Sequence, residues 1–94
     1  MNIIMVDIIQ GKVTEVIDGD TFDMSVSGRG ANNSETYNNT ERIRLADVNA
    51  PELGSPAGQQ AKQDLETRIG GKIVKCEIQS RDSFGRLVCK VSLA

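Results

Sequence analysis

The sequence predicts a mainly β chain with one helix, placed between the third and fourth of five strands. Three observations carry that expectation. Short β-branched or alternating runs recur along the chain, and turn-forming residues separate them. A single segment instead shows apolar residues every four positions between helix-end signals. In that order the elements suit a five-stranded barrel of the OB-fold type, whose open face commonly binds oligonucleotides or sugars. A small α+β sheet fits the same pattern. At 94 residues the chain is expected to be one domain spanning 1–94, with one core.

Each element has its own reason. The opening "MNIIMVDIIQ" is apolar but interrupted by Asp7, with no basic segment or small-residue cleavage site. It reads as a strand leading into the fold, not as a signal peptide or membrane span. "GKVTEVI" (11–17) is the first strand, rich in β-branched residues. In "TFDMSVS" (21–27), Phe22, Met24 and Val26 share one face, and Asp23 and Ser25 the other. Between them, "VIDGDT" holds an Asp18-Gly19 step, a strong hairpin signal because glycine accepts positive φ and aspartate tolerates it. Residues 28–40, "GRGANNSETYNNT", are too polar for core and are expected to form an exposed, mobile loop.

"ERIRLADV" (41–48) is the third strand, with Ile43 and Leu45 facing one way and Arg42, Arg44 and Ala46 the other. Alternation also points Asp47 away from any site beside the strand. The prolines of "NAPELGSP" cannot continue a ladder. A helix is predicted over 56–69: Ser55 caps it, Pro56 takes its first position and Gly70 ends it. Ala57, Ala61, Leu65 and Ile69 form a narrow apolar stripe, and Asp64 and Arg68 stand in the favourable i, i+4 order. "KIVKCEI" (72–78) and "RLVCKVSL" (86–93) close the chain as a hairpin around "QSRDSFG". Cys76 and Cys89 lie near-symmetrically about that turn, which could set them face to face across it. Two buried free thiols are the expected state; a cross-strand disulfide would need an oxidising compartment.

Composition narrows the chemistry. The net charge of −2 gives no global field for a polyanion, so any such binding needs a local arginine cluster. The aromatic residues are Phe22, Tyr37 and Phe84, few for a protein that holds single strands by stacking. Histidine is absent, which removes Ser-His-Asp and Cys-His catalysis and imidazole metal sites. Carboxylates, arginines and a hard cation remain. Arg42, Arg81, Lys72 and Lys90 read as surface charges.

Four stretches, "IDGDT" (17–21), "RIRLADVNAPE" (42–52), the helix after it and "DSFGR" (82–86), together resemble the thermonuclease family typified by staphylococcal nuclease. The resemblance runs from about Gly11 to the C-terminus. It implies a calcium-dependent phosphodiesterase acting on DNA or RNA. By position, Asp20 matches an aspartate that ligates calcium, and Ala50 a residue that offers its backbone carbonyl. Asn49 stands where the reference nuclease has a second aspartate. Glu52 matches the glutamate proposed to activate water; Arg44 and Arg86 match the arginines that neutralise the phosphate.

These roles make chemical sense. Arginine forks and a divalent cation suit the charge that builds on phosphoryl oxygens, and calcium takes carboxylate, amide and backbone oxygens alike. Each residue also has a plainer reading: Asp18 as a turn former, Asp20 as a turn flank, Arg44 as an ion-pair partner of Glu52, Arg86 as a solvated charge, and Glu52 as a brace for its loop. Asn49 carries one negative charge fewer, so calcium is expected to bind weakly. The chain stops just after the fifth strand, where the family usually continues with helices, and the 28–40 loop is longer than the reference hairpin. The expectation is therefore a folded monomeric barrel, with no membrane partner and weak nuclease turnover. A non-catalytic OB module that binds nucleic acid or protein, and a bare barrel subdomain, are the alternatives.

Overall fold

The computed structural model describes residues 6–94. Its elements are β1 (Asp7–Asp18), β2 (Thr21–Arg29), β3 (Thr40–Leu45), α1 (Pro56–Ile69), β4 (Ile73–Arg81) and β5 (Leu87–Leu93). The strands close a barrel in the order β1-β2-β3-β5-β4, with the helix between β3 and β4 as the sequence predicts. The long β1 serves both sheet edges, pairing antiparallel with β2 and with β4. Register shifts at Gln10/Gly11, Val13/Glu15 and Val16/Asp18 bend it enough to do so. A short parallel pair, Ile43 to Leu87 through Leu45 to Cys89, shuts the barrel. The opening segment continues β1 from Asp7; residues 1–5 lie outside the described residues.

Alternation fills the interior. Ile9, Val13, Phe22, Met24, Ile43, Val74, Cys76, Leu87 and Cys89 are essentially inaccessible, and Leu65 and Ile69 plug the barrel from the helix. Burying such side chains contributes about 1.5–3 kcal/mol each. Both cysteines are free and buried; they are diagonal neighbours across the hairpin and not direct partners, since Cys76 pairs with Val91 and Cys89 with Ile78. The neighbouring Cys76 and burial both push the Cys89 thiol above its ordinary pKa.

Several local expectations need correction. β3 ends at Leu45, not at 48, because Asp47 turns into the left-handed region at φ 62°. On the helix Ala57 is exposed and Gly58 takes its place inside, since the chain before the helix folds back against it. Gly70 receives the chain with φ −54°, and Gly71, at φ 69°, makes the left-handed turn. Asp64 accepts from Gln60 at 2.8 Å, while the i, i+4 ion pair on the helix is Lys62–Glu66 at 3.9 Å. The last turn is shorter than the sequence suggests, because β4 runs on to Arg81.

The 28–40 segment is the largest departure. β2 continues to Arg29, and most of the following residues are exposed, but Tyr37 is buried. Its hydroxyl donates to Asp7 Oδ2 at 2.5 Å, and the same carboxylate accepts from the Ser34 amide at 2.8 Å and hydroxyl at 3.0 Å. Asn33 donates to the Ile8 carbonyl and accepts from its amide, both at 2.8 Å. The loop is thus strapped to the start of β1.

Candidate active site

The β1–β2 turn is Gly19-Asp20, between paired Asp18 and Thr21. Gly19 is not left-handed. Glycine is needed there for another reason: a Cβ would lie 2.6 Å from the Ala61 Cβ and 2.7 Å from the Ala50 Cβ. The turn therefore nests directly on the helix and on the loop after β3. Asp18 Oδ1 accepts the Asp20 amide at 3.0 Å, the aspartate-turn bond its sequence position suggests.

That nesting aims Asp20. Its Oδ1 accepts from the buried Thr21 hydroxyl at 2.9 Å, and its Oδ2 accepts from the Ala50 amide at 3.0 Å. Arg44 Nη2 stands 3.4 Å from the same Oδ2. Burial works against ionisation of Asp20. Hydrogen bonding with the Asp18 side chain, the Ala50 amide and Thr21, together with the Arg44 charge, outweighs it and lowers the pKa.

Arg44 is the centre of the cluster. Its Nη1 donates to the Leu45 carbonyl at 2.6 Å and to the Val48 carbonyl, and its Nη2 donates to Asn49 Oδ1 at 2.8 Å. Its carboxylate partner is Asp20, not Glu52. One guanidinium nitrogen thus sits between the Asp20 and Asn49 oxygens, so the two side chains already converge on a positive charge. With the Ala50 carbonyl nearby in the chain, the donor set is all oxygen, which suits calcium or a similar hard cation. Among the described residues no three His, Cys, Asp or Glu side chains cluster as a metal site, so the set leans on neutral oxygens beside Asp20.

Glu52 lies two residues beyond Ala50 on an exposed loop. Its backbone is fixed: its carbonyl accepts from the Ser55 amide at 3.0 Å and hydroxyl at 2.7 Å, and Ser55 Oγ caps the helix through the Gly58 amide at 3.0 Å. A Cβ on Gly58 would fall 1.8 Å from that carbonyl, so only glycine lets the helix approach so closely. Among the described residues its carboxylate makes no hydrogen bond or ion pair, leaving it open to solvent.

Arg86 approaches from the β4–β5 hairpin. It lines a groove of about 280 Å³ with Ile17, Asp18, Thr21, Arg42 and Phe84. Asp82 holds it, accepting from Nε at 2.7 Å and from the backbone amide at 2.9 Å, and its guanidinium packs 5.2 Å from the centre of the exposed Phe84 ring. Burial disfavours the Asp82 anion, but Arg86 and the Phe84 amide more than offset this and lower its pKa.

The fold therefore joins Asp20, Arg44, Asn49 and Ala50 directly and brings Arg86 to the groove that Asp18 and Thr21 also line, while Glu52 follows Ala50 by two residues with its carboxylate bonded to none of them. Sequence reasoning passed over Thr21 and Asp82, which orient Asp20 and Arg86. Adjacency in "DGDT" and four-residue spacing in "DSFGR" were the available signals.

Comparisons with known proteins agree on one family. The family model described as staphylococcal nuclease homologue matches residues 42–94, more than half of the chain. A probable endonuclease of Schizophyllum commune is 36% identical over 104 residues, covering 92% of this chain and 36% of that protein. The micrococcal nuclease of Shigella flexneri is 34% identical over 77 residues, covering 82% and 38%. An uncharacterized endonuclease of Escherichia coli is 30% identical over 83 residues, covering 88% and 48%. The chain thus spans between about a third and a half of the length of these relatives.

Proposed function

The chain belongs to the staphylococcal nuclease family, and we propose that it carries that family's hydrolytic site for nucleic-acid phosphodiesters, dependent on calcium and slow in turnover. The supporting observation is the convergence of the Asp20 and Asn49 oxygens on Arg44, with Arg86 on the groove that begins at the same turn.

Asp20, Asn49 Oδ1 and the Ala50 carbonyl would hold calcium, which when bound supplies positive charge against the phosphoryl oxygens. Arg86 offers the unpaired part of its fork to a phosphoryl oxygen across the groove. Arg44 gives up one of its loop contacts to a second oxygen, exchanging one charge-assisted bond for another. Glu52, unpaired and hydrated, takes a proton from the water that attacks phosphorus as the phosphorus–oxygen bond to the leaving group breaks. The Asn49 amide lowers the anionic charge of the set, which predicts weak calcium binding.

Cleavage of a single-stranded deoxyoligonucleotide with calcium and with chelator tests this reading. Glu52→Gln should lower turnover by roughly 10²–10⁴-fold, the usual range for a general base. Equal cleavage by the variant would remove Glu52 from its role.

A further inference from the structure

Glu41 is charged and only 4% exposed. Strand alternation explains why: it shares the inward face of β3 with Ile43 and Leu45. Its carboxylate is gripped by Arg81, whose Nη1 reaches Oε1 at 3.1 Å and whose Nη2 reaches Oε2 at 3.2 Å. The Asn38 amide also donates to Oε2, at 3.0 Å. Arg81 is therefore not the free surface charge its sequence context suggests. The same Nη1 donates to the Gly85 carbonyl at 2.8 Å. Gly85, at φ 83°, is the turn residue between Phe84 and Arg86.

We propose that the Glu41–Arg81 pair positions Arg86. The buried carboxylate fixes the Arg81 fork, the fork tethers the carbonyl of the residue before Arg86, and the tether sets where that guanidinium enters the groove. Asp82 cannot do this alone, because it rides on the same hairpin and moves with it. Glu41 belongs to β3, the strand that carries Arg44. The bridge thus links the strand bearing one arginine to the turn bearing the other, which holds the turn in place relative to β3. A pair with one buried and one partly exposed partner adds little net stability over an apolar replacement, so its value lies in placement. The functional half of the proposal rests on the hydrolytic reading of Arg86.

Two readouts separate the halves. The Arg86 Nε–Hε resonance reports the ring current of Phe84 and needs no turnover. In Arg81→Gln it should move toward the position of an unstructured arginine, and in Arg81→Lys, which can still bridge Glu41 and Gly85, it should stay near its original place. Because Arg81→Gln leaves a buried carboxylate poorly paired, Glu41→Met with Arg81→Met serves as a second variant, folded but without the tether. Both should lower kcat on the oligonucleotide by about tenfold with KM little changed, as lost transition-state placement does. Neither should add to the loss in Arg86→Ala, since residues acting through one group are non-additive. An unmoved Arg86 resonance in a folded variant, or additive losses, would overturn the proposal. Failure of the unmodified chain to cleave counts against the hydrolytic reading alone, because the resonance decides the placement without it.

Discussion

Arg44 and Arg86, the two arginines of the proposed site, are held in opposite ways. Arg44 sits at the end of a barrel strand, and its donors are taken by the Leu45 and Val48 carbonyls, Asn49 and Asp20. The loop around it is set by close backbone approach, with Gly19 against Ala50 and Ala61 and Gly58 against the Glu52 carbonyl. Arg86 sits on a hairpin turn governed by side-chain charge: Asp82 on the turn itself and the Arg81–Glu41 bridge behind it. The rim near Asp20 should therefore respond to changes in steric fit, and the hairpin to changes in charge.

The largest effect that sharpens this contrast is expected from Gly58→Ala. The added methyl must push the Glu52 backbone aside, costing about 1–3 kcal/mol as overpacking does, partly offset by better helix propensity. Urea denaturation should show that loss, and amide shifts should spread through residues 50–54 and Asp20 while the 82–86 turn stays unchanged. Equal disturbance at both regions would break the comparison.

Ser55→Ala removes the helix cap beside Glu52 and should cost about 1 kcal/mol, read as a lower urea midpoint. Asp82→Asn is the counterpart on the hairpin. An isolated, partly exposed ion pair contributes about 0–1 kcal/mol, so stability should fall only slightly. The Arg86 Nε–Hε signal should nonetheless broaden, and oligonucleotide cleavage should fall several-fold, about the weight of one charge-assisted contact.

The smallest expected effect is on pH. Asp20 and Asp82 both have pKa values lowered in the folded chain. Each therefore contributes stability that is fully present above the ordinary aspartate value of about 3.9 and is lost as pH falls through the lower folded value. Unfolding midpoints should stay flat near neutrality and decline below about pH 4. Asp20→Asn should flatten part of that decline without altering the Arg86 signal.

How much of this was legible in the sequence divides along the same line. Strand alternation exposed the barrel interior: Phe22, Met24, Val26 and Ile43 are buried as their spacing implies. Helix signals at Ser55 and Pro56 placed α1, and the motifs named Arg44, Asn49 and Ala50, which meet at Asp20, although Glu52 and Arg86 make no bond there. Close approach was not legible, because a glycine read alone suggests positive φ, and only packing reveals Gly19 and Gly58 as contacts. Buried charge was missed for a different reason. Arg81 looks like any solvated arginine until its partner is known. Glu41 did carry a signal, two positions before Ile43 on the same face. Tyr37, alone in a polar run, carried none beyond its ring, and the Asp7 contact that buries it lies 30 residues away.

Calcium titration of the labelled chain, followed through its amide resonances, tests the central claim most directly. The first and largest shifts should fall at Asp20, Asn49 and Ala50, saturating only at weak affinity and vanishing in Asp20→Ala. Shifts confined to residues 28–40, or unchanged by that substitution, would contradict the assignment of the Asp20 rim as the cation site.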